Sequence, residues 1–110
     1  MSLGLTAPCV LPVEVRDSSR RAYRVALHIG AEGARFATPL PFEPDAVVTL
    51  LFSLPDGSGP FEVRARARVI GEEAEREGEE GCMGAAFPDA PLAIKDPLGR
   101  YARTRLGLDA

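Results

Sequence analysis

The sequence predicts a mainly β protein, a small antiparallel barrel of about six strands followed by one C-terminal helix. Apolar and polar residues alternate in several short segments, which is the period of a half-buried strand. Turn residues separate these segments at hairpin-like spacings. Apolar residues at helical spacing occur convincingly only near the C-terminus. So many short strands in 110 residues favour a closed or nearly closed barrel, since closure removes sheet edges.

The composition indicates one soluble globular domain. Hydrophobic residues make up 45% and charged residues 26% of the chain, and the net charge of -3 does not suggest nucleic-acid binding. No apolar run approaches the ~20 residues of a membrane span, and the N-terminus lacks the pattern of a signal peptide. We therefore expect a cytoplasmic protein without a cofactor. Cys9 and Cys82 are expected to be reduced, with a disulfide as the alternative.

Residues 23–38 predict two strands joined by a tight turn. Gly30 and Gly33 bracket the turn, where glycine allows unusual backbone angles. The alternation resumes after the turn at Ala34. Before the turn, two sets of side chains face opposite ways, one of Tyr23, Val25, Leu27 and Ile29 and the other of Arg24, Ala26 and His28.

Four further strands complete the predicted sheet. The first contains Leu11, Val13 and Val15, and Pro12 favours a place at an edge or start of the sheet. Residues 17–19 form a hairpin turn into the second strand. Residues 47–54 are a nearly continuous apolar run, predicted to be buried on much of both faces. The clearest alternation occurs over residues 61–69, and the last strand contains Met83, Ala85 and Phe87.

The domain is predicted to span residues 9–110, preceded by a flexible tail of residues 1–8. Its helix is predicted over residues 96–106. Asp96 can accept hydrogen bonds from the first turn, and Pro97 suits the first helical position. Gly107 is placed to end the helix. The face that docks on the sheet is predicted to contain Leu98, Tyr101, Ala102 and Leu106.

The order and spacing of these segments resemble the PilZ domain, a small bacterial barrel best known as a receptor for cyclic di-GMP. The resemblance runs from about Leu11 to Leu106. It rests on LHIGAEGARF, VVTLLFSLPDG, FEVRARARVI, GCMGAAF with the following Pro88 and Asp89, and the final helix. It implies a six-stranded PilZ-like barrel and a non-enzymatic role in the control of motility, biofilm or secretion.

The family's ligand motifs are degenerate in this chain. PilZ domains carry RxxxR just ahead of the first barrel strand and DxSxxG at the turn after the second. Here the second motif aligns with residues 28–33, where His28 replaces the Asp, Gly30 replaces the Ser and Gly33 is retained. No arginine occurs before Arg16. The resemblance therefore implies a divergent PilZ domain that acts through a protein partner and does not bind cyclic di-GMP in the usual way.

The alternative is a cyclic di-GMP receptor with a rearranged arginine cluster. Two RxxxR spacings occur, from Arg16 to Arg20 and from Arg20 to Arg24, but around the predicted first hairpin. Paired guanidinium groups can bind phosphates and guanine edges through forked donors. The residues of this alternative are Arg16, Arg20, Arg21, Arg24, His28, Gly30 and Gly33.

The remaining polar features favour structural roles over catalysis. Arg64, Arg66 and Arg68, with Arg24 and Arg35 nearby, are either a solvated strand face or a basic interaction face. The acidic segment 71–81 is expected to be solvated. His28, the only histidine, is interpreted as a strand residue on the polar face, because metal ligands with suitable spacing are missing. A small enzyme or a metal protein is the weakest hypothesis. The oligomeric state is left open.

Overall fold

The computed structural model describes residues 3–69 and 82–108, and in it six antiparallel strands form a closed barrel. Around the barrel the strand order is β1-β2-β3-β6-β5-β4. The elements are β1 (Thr6–Arg16), β2 (Arg21–Gly30), β3 (Gly33–Leu40), β4 (Val47–Phe52), β5 (Phe61–Arg68), β6 (Cys82–Ala86) and the helix α1 (Leu92–Arg105). The predicted fold class is confirmed.

The barrel interior is filled by the alternating residues that the sequence pattern indicates. In β1 the side chains of Leu11, Val13 and Val15 are buried. In β5 the inward residues are small, with alanine at positions 65 and 67 beside Val63, while Arg64 and Arg66 lie outside. The larger buried side chains that fill the interior include Phe36, Leu40, Val48, Leu50, Phe87 and Leu98.

Strand β2 presents its larger apolar side chains to the outside. Ala22 and Ala26 are buried, whereas Tyr23, Val25 and Leu27 are exposed. The pairing of β2 with β3 shifts register between Ala26 and His28, and Ile29 is buried beyond this point. A bulge inserts a residue and turns the following side chains to the other face. The prediction that Ile29 shares a face with Tyr23 is therefore wrong.

Strand β4 is buried on one face only. Val48, Leu50 and Phe52 point into the core, whereas Val47 is exposed and Thr49 and Leu51 are half-buried. The prediction of burial on both faces is wrong because nothing in the described chain covers the outer face of this strand completely. The prediction that Pro12 places β1 at an edge of the sheet is wrong, because the barrel is closed and β1 pairs with both β2 and β4. Pro12 lies opposite Val25 of β2 and outside residues 14–16, which pair with β4, so its missing N–H is tolerated there.

Residues 3–8 of the predicted tail pack on the barrel or belong to β1. Strand β1 begins at Thr6, which lies opposite Gly30, and Leu3 is only 8% exposed. The physical reason lies in the glycines of the β2–β3 turn. Their missing side chains leave a shallow surface on which residues 3–5 lie closely.

Helix α1 begins four residues earlier than predicted. Its N-cap is Pro91, and Pro97 lies inside the helix. Asp96 caps nothing, and its carboxylate instead accepts a hydrogen bond from Arg100 Nη2 at 2.6 Å. The buried face contains Leu98, Tyr101 and Ala102 as predicted.

The C-terminal end of α1 departs from the prediction in one residue. Leu106 is 39% exposed, so its predicted place on the buried face is wrong. Gly107 ends the helix as predicted, with a φ of 71°. Its amide donates to the Thr104 carbonyl, and the Leu108 amide donates to the Arg103 carbonyl at 2.8 Å, which is a Schellman motif.

The acidic segment 71–81 lies outside the described residues. The described chain resumes at Cys82, the first residue of β6. Within the described ranges, no helix combines the length and apolar character that a membrane crossing requires.

Candidate functional site

The turn between β2 and β3 is built so closely that two of its positions require glycine. Gly30 and Gly33 lie opposite each other across the strand pair. A Cβ on Gly30 would collide with the Leu5 carbonyl oxygen. A Cβ on Gly33 would lie 2.6 Å from Leu3 Cδ2 and 2.8 Å from the Ala85 carbonyl oxygen. The absence of both side chains is what lets residues 3–5 approach the turn.

The outer surface at this turn is covered by the chain itself. Leu3 packs against Ala86 in a small apolar cluster, with Met83 beside it. Gly4 lies against the carboxylate of Glu32, close enough that a Cβ on Gly4 would collide with Oε2. The Glu32 carbonyl in turn accepts a hydrogen bond from the Phe87 amide at 2.9 Å. An apolar side chain and a carboxylate therefore cover the outer surface of this turn.

His28 lies next to the turn, between Pro8 of β1 and Arg35 of β3. It is half-buried in β2. Within residues 3–69 and 82–108, no group of three or more His, Cys, Asp or Glu side chains could hold a metal ion.

Arg16 and Arg21 close the first hairpin and share an acidic neighbour. They are cross-strand partners, and both lie 3.7 Å from an oxygen of Glu14. Arg16 Nη2 also donates to Glu62 Oε1 at 2.9 Å. A hydrogen bond with the Tyr23 side chain, and then the Glu14 charge, raise the pKa of the Arg21 guanidinium. Each cation is thus already opposed by protein groups.

Arg20 and Arg24 point to other partners. The Arg20 guanidinium lies over the Phe42 ring, 5.3 Å from its centroid. Arg24 Nε donates to the Pro39 carbonyl at 3.0 Å, and its Nη1 donates to the Tyr23 carbonyl at 2.9 Å. The two RxxxR spacings therefore do not produce a pair of converging guanidinium groups.

The structure spreads the residues of the alternative site along the length of β2. Strand β2 runs from Arg21 to Gly30. At about 3.3 Å per residue its ends lie roughly 30 Å apart. His28, Gly30 and Gly33 lie together at one end, Arg16, Arg20 and Arg21 lie at the other, and Arg24 lies between them within β2. No single small ligand spans the whole set.

The predicted basic face on β5 is only partly available. Arg68 forms an ion pair with Asp45, and Arg66 Nη1 donates to the Asp45 carbonyl at 3.2 Å. Arg64 is exposed and has no partner among the described residues. It lines a groove of about 660 Å³ together with Arg16 and Thr49. Thr49 lies directly between the two arginines across three strands, because it pairs with both.

Both cysteines are free thiols, as expected. Cys82 is fully buried, and Cys9 is half-buried with its Sγ donating to the Ala26 carbonyl at 3.4 Å. Burial raises the pKa of each thiol. A thiol of this kind behaves as a small apolar core residue.

The sequence analysis missed an apolar surface on the outside of β1 and β2. Val10 and Tyr23 are 77% and 66% exposed, and Val25 and Leu27 are 38% and 39% exposed. The signal was the alternation of β2, in which one set contains large apolar side chains. Alternation alone does not decide which set faces inward. The inner set includes Ala22 and Ala26, whose small side chains leave room for the core of a narrow barrel.

The architecture is that of a small antiparallel barrel module closed by a C-terminal helix. The family model of the PilZ domain matches residues 7–103. The chain therefore belongs to the PilZ domain family, whose members are regulatory modules.

The comparison with solved structures supports the fold. Among the structures that match is that of the Bacillus subtilis inhibitor of motility (MotI/DgrA), with a TM-score of 0.71 and 18% sequence identity. The alignment covers 96% of this chain and 51% of that chain, so this chain spans about half the length of that protein. The comparison with curated proteins finds no match.

Proposed function

We propose that this chain is a non-catalytic regulatory module of bacterial signalling that acts through a protein partner and does not bind cyclic di-GMP in the family's usual way. The observation that carries this proposal is the packing of Leu3 on Gly33. It places an apolar residue of the chain itself on the turn that aligns with the family's ligand motif.

The chemistry around the turn supports the proposal. His28 and Gly30 stand where the family motif has Asp and Ser, so the groups that hydrogen-bond guanine are missing. The Glu32 carboxylate lies beside residue 4, where a negative charge opposes a phosphate. Residues 1–15 contain no arginine, so the segment that leads into and forms most of β1 supplies no guanidinium to compensate that charge.

The setting of this function is part of the proposal. We place the module in the cytoplasm, without a cofactor and without insertion into a membrane. The structural neighbour is named as an inhibitor of motility. This likeness favours a role in the control of motility, with biofilm formation or secretion as the related processes.

A second candidate function is a cyclic di-GMP receptor with a rearranged arginine cluster. The observation that favours it is the groove of about 660 Å³ between Arg16 and Arg64, with the Thr49 hydroxyl between them. Two guanidinium groups beside a hydroxyl can bind a phosphate. The ion pair of Arg16 with Glu62 opposes this function, because it must break for a phosphate to bind.

Titration calorimetry with cyclic di-GMP separates the two candidates. The proposal predicts no heat of binding up to millimolar ligand. Micromolar binding that is lost in Arg20→Ala/Arg24→Ala, or in Arg16→Ala/Arg64→Ala, contradicts it and supports the receptor. The two double variants also show which arginines bind the ligand, since Arg20 and Arg24 do not line the groove.

A further inference from the structure

The outer surfaces of β1 and β2 form one continuous apolar area. We name it the apolar β1–β2 face and define it by Val10, Tyr23, Val25 and Leu27. The pairing of β1 with β2 shifts register between Pro8 and Leu11, so residues 9 and 10 together lie opposite Leu27. Val10 is 77% exposed as a result. Val25 lies directly opposite Pro12, which extends the area onto β1.

This surface is unusual because it places large apolar side chains on the outside of the barrel, next to small ones inside. Scattered exposed apolar residues are normal on protein surfaces, but contiguous patches mark interaction sites. Tyr23 is 66% exposed and combines an apolar ring with a polar end, a combination that is enriched in protein interfaces.

The border of the face carries more positive than negative charge. Arg21 lies two residues before Tyr23 on the same face of β2, and Arg35 of β3 lies opposite His28 at the other end. Two carboxylates meet the arginines of this border. Glu14 lies opposite Tyr23 and within 3.7 Å of both Arg16 and Arg21, and Arg16 also pairs with Glu62. Arg16, Arg21 and Arg35 outnumber these two carboxylates, so the border keeps a net positive charge.

We propose that the apolar β1–β2 face docks a protein segment whose apolar side chains are bordered by Asp or Glu, an inference that rests on the proposed function. Burial of the apolar residues supplies the attraction, and the carboxylates meet the arginine border. A second copy of this chain fits less well, because two such faces pressed together bring arginine borders into contact. Like charges placed opposite each other disfavour a partner.

The test is selection of peptides from a random displayed library against the full chain. The expected peptides contain large apolar residues flanked by Asp or Glu. A synthetic copy of the strongest binder should bind at least tenfold more tightly than the same peptide with Lys at the acidic positions, by fluorescence anisotropy. An absence of binders, or binders that prefer Lys, overturns the proposal.

Two variants of matched valines locate the binding surface. Val25→Asp should abolish binding of the selected peptide, whereas Val47→Asp should leave it unchanged. Val47 is a suitable control because it is also an outward strand valine, 41% exposed against 38% for Val25. Urea unfolding of both variants checks that they fold equally well. Equal loss in the two variants, or no loss in Val25→Asp, contradicts the assignment.

Two further measurements address other occupants of the face. In sedimentation velocity we expect no dimer; a dimer that Val25→Asp dissociates would show that a second copy of the chain covers the face. With vesicles of phosphatidylcholine and phosphatidylglycerol we expect no binding; binding that Val25→Asp abolishes would show that a membrane covers it. If no peptide is selected and calorimetry shows no cyclic di-GMP binding, the proposed docking surface is wrong but the proposed function stands. If cyclic di-GMP binds, the proposed function itself is wrong.

Discussion

Gly33 determines which groups can lie on the outer surface of the β2–β3 turn. Leu3 Cδ2 and the Ala85 carbonyl oxygen both lie within 3 Å of the point where a Cβ would stand. One of these neighbours is a flexible side chain end and the other is backbone. The two neighbours therefore respond differently to a larger residue, and this difference can be measured.

Gly33→Ala should destabilise the fold by about 1–3 kcal/mol, because the new methyl group overpacks a filled site. Urea unfolding measures the loss. Adding Leu3→Ala should recover only part of it, since the Ala85 carbonyl belongs to a paired strand and cannot move freely. Full recovery in the double variant would show that Leu3 alone restricts the site. No loss in the single variant would show that Leu3 does not pack on Gly33.

The hairpin arginines show that a sequence motif does not by itself bring side chains together. The RxxxR spacing of Arg16, Arg20 and Arg24 is present in the sequence, yet a hairpin and a strand direct these side chains to Glu62, the Phe42 ring and the Pro39 carbonyl. Spacing along a chain defines a common face only within one regular element. Here the first spacing crosses the turn and the second starts in it, so neither predicts that the guanidinium groups converge.

At the scale of elements, helix α1 shows why a sequence boundary can be misplaced. Asp96 and Pro97 have the composition of a helix start, yet the helix begins at Leu92. Proline is favoured in the first turn of a helix, so Pro91 and Pro97 both mark a possible start. Because Pro97 lies inside the helix, one backbone hydrogen bond is missing there. The helix continues upstream, and Ile94 of this additional turn packs against the core. Tertiary packing thus outweighs the local signal.

The docking of α1 gives a prediction with a control in the same helix. Leu98 is fully buried against the barrel, whereas Leu92 is 79% exposed. Leu98→Ala should lower the free energy of unfolding by about 2–5 kcal/mol, because it leaves a cavity. Leu92→Ala should change it by less than about 0.5 kcal/mol. Thermal or urea unfolding compares them, and similar losses would mean that the helix does not dock through Leu98.

At the scale of the whole molecule, alternation predicts that strands exist, and their number and spacing predict a barrel. It does not predict the inner face of β2, because Tyr23, Val25 and Leu27 carry more apolar surface than the alanines that actually face the core. Nor does it predict bulges, which depend on the neighbouring strand. The apolar β1–β2 face and the contact of Leu3 with the turn could not be predicted for the same reason. Each depends on contacts between residues that are far apart in sequence.

The proposed function depends on residues 3–5, which lie on the turn that aligns with the family's nucleotide motif. An NMR titration of the full chain with cyclic di-GMP is the decisive experiment. We expect contacts between the Leu3 methyl groups and the Gly33 and Ala85 backbone, and amide shifts of His28, Gly30 and Gly33 that stay unchanged as ligand is added. Saturable shifts at these three amides, with loss of the Leu3 contacts, would show that the turn binds the nucleotide after all.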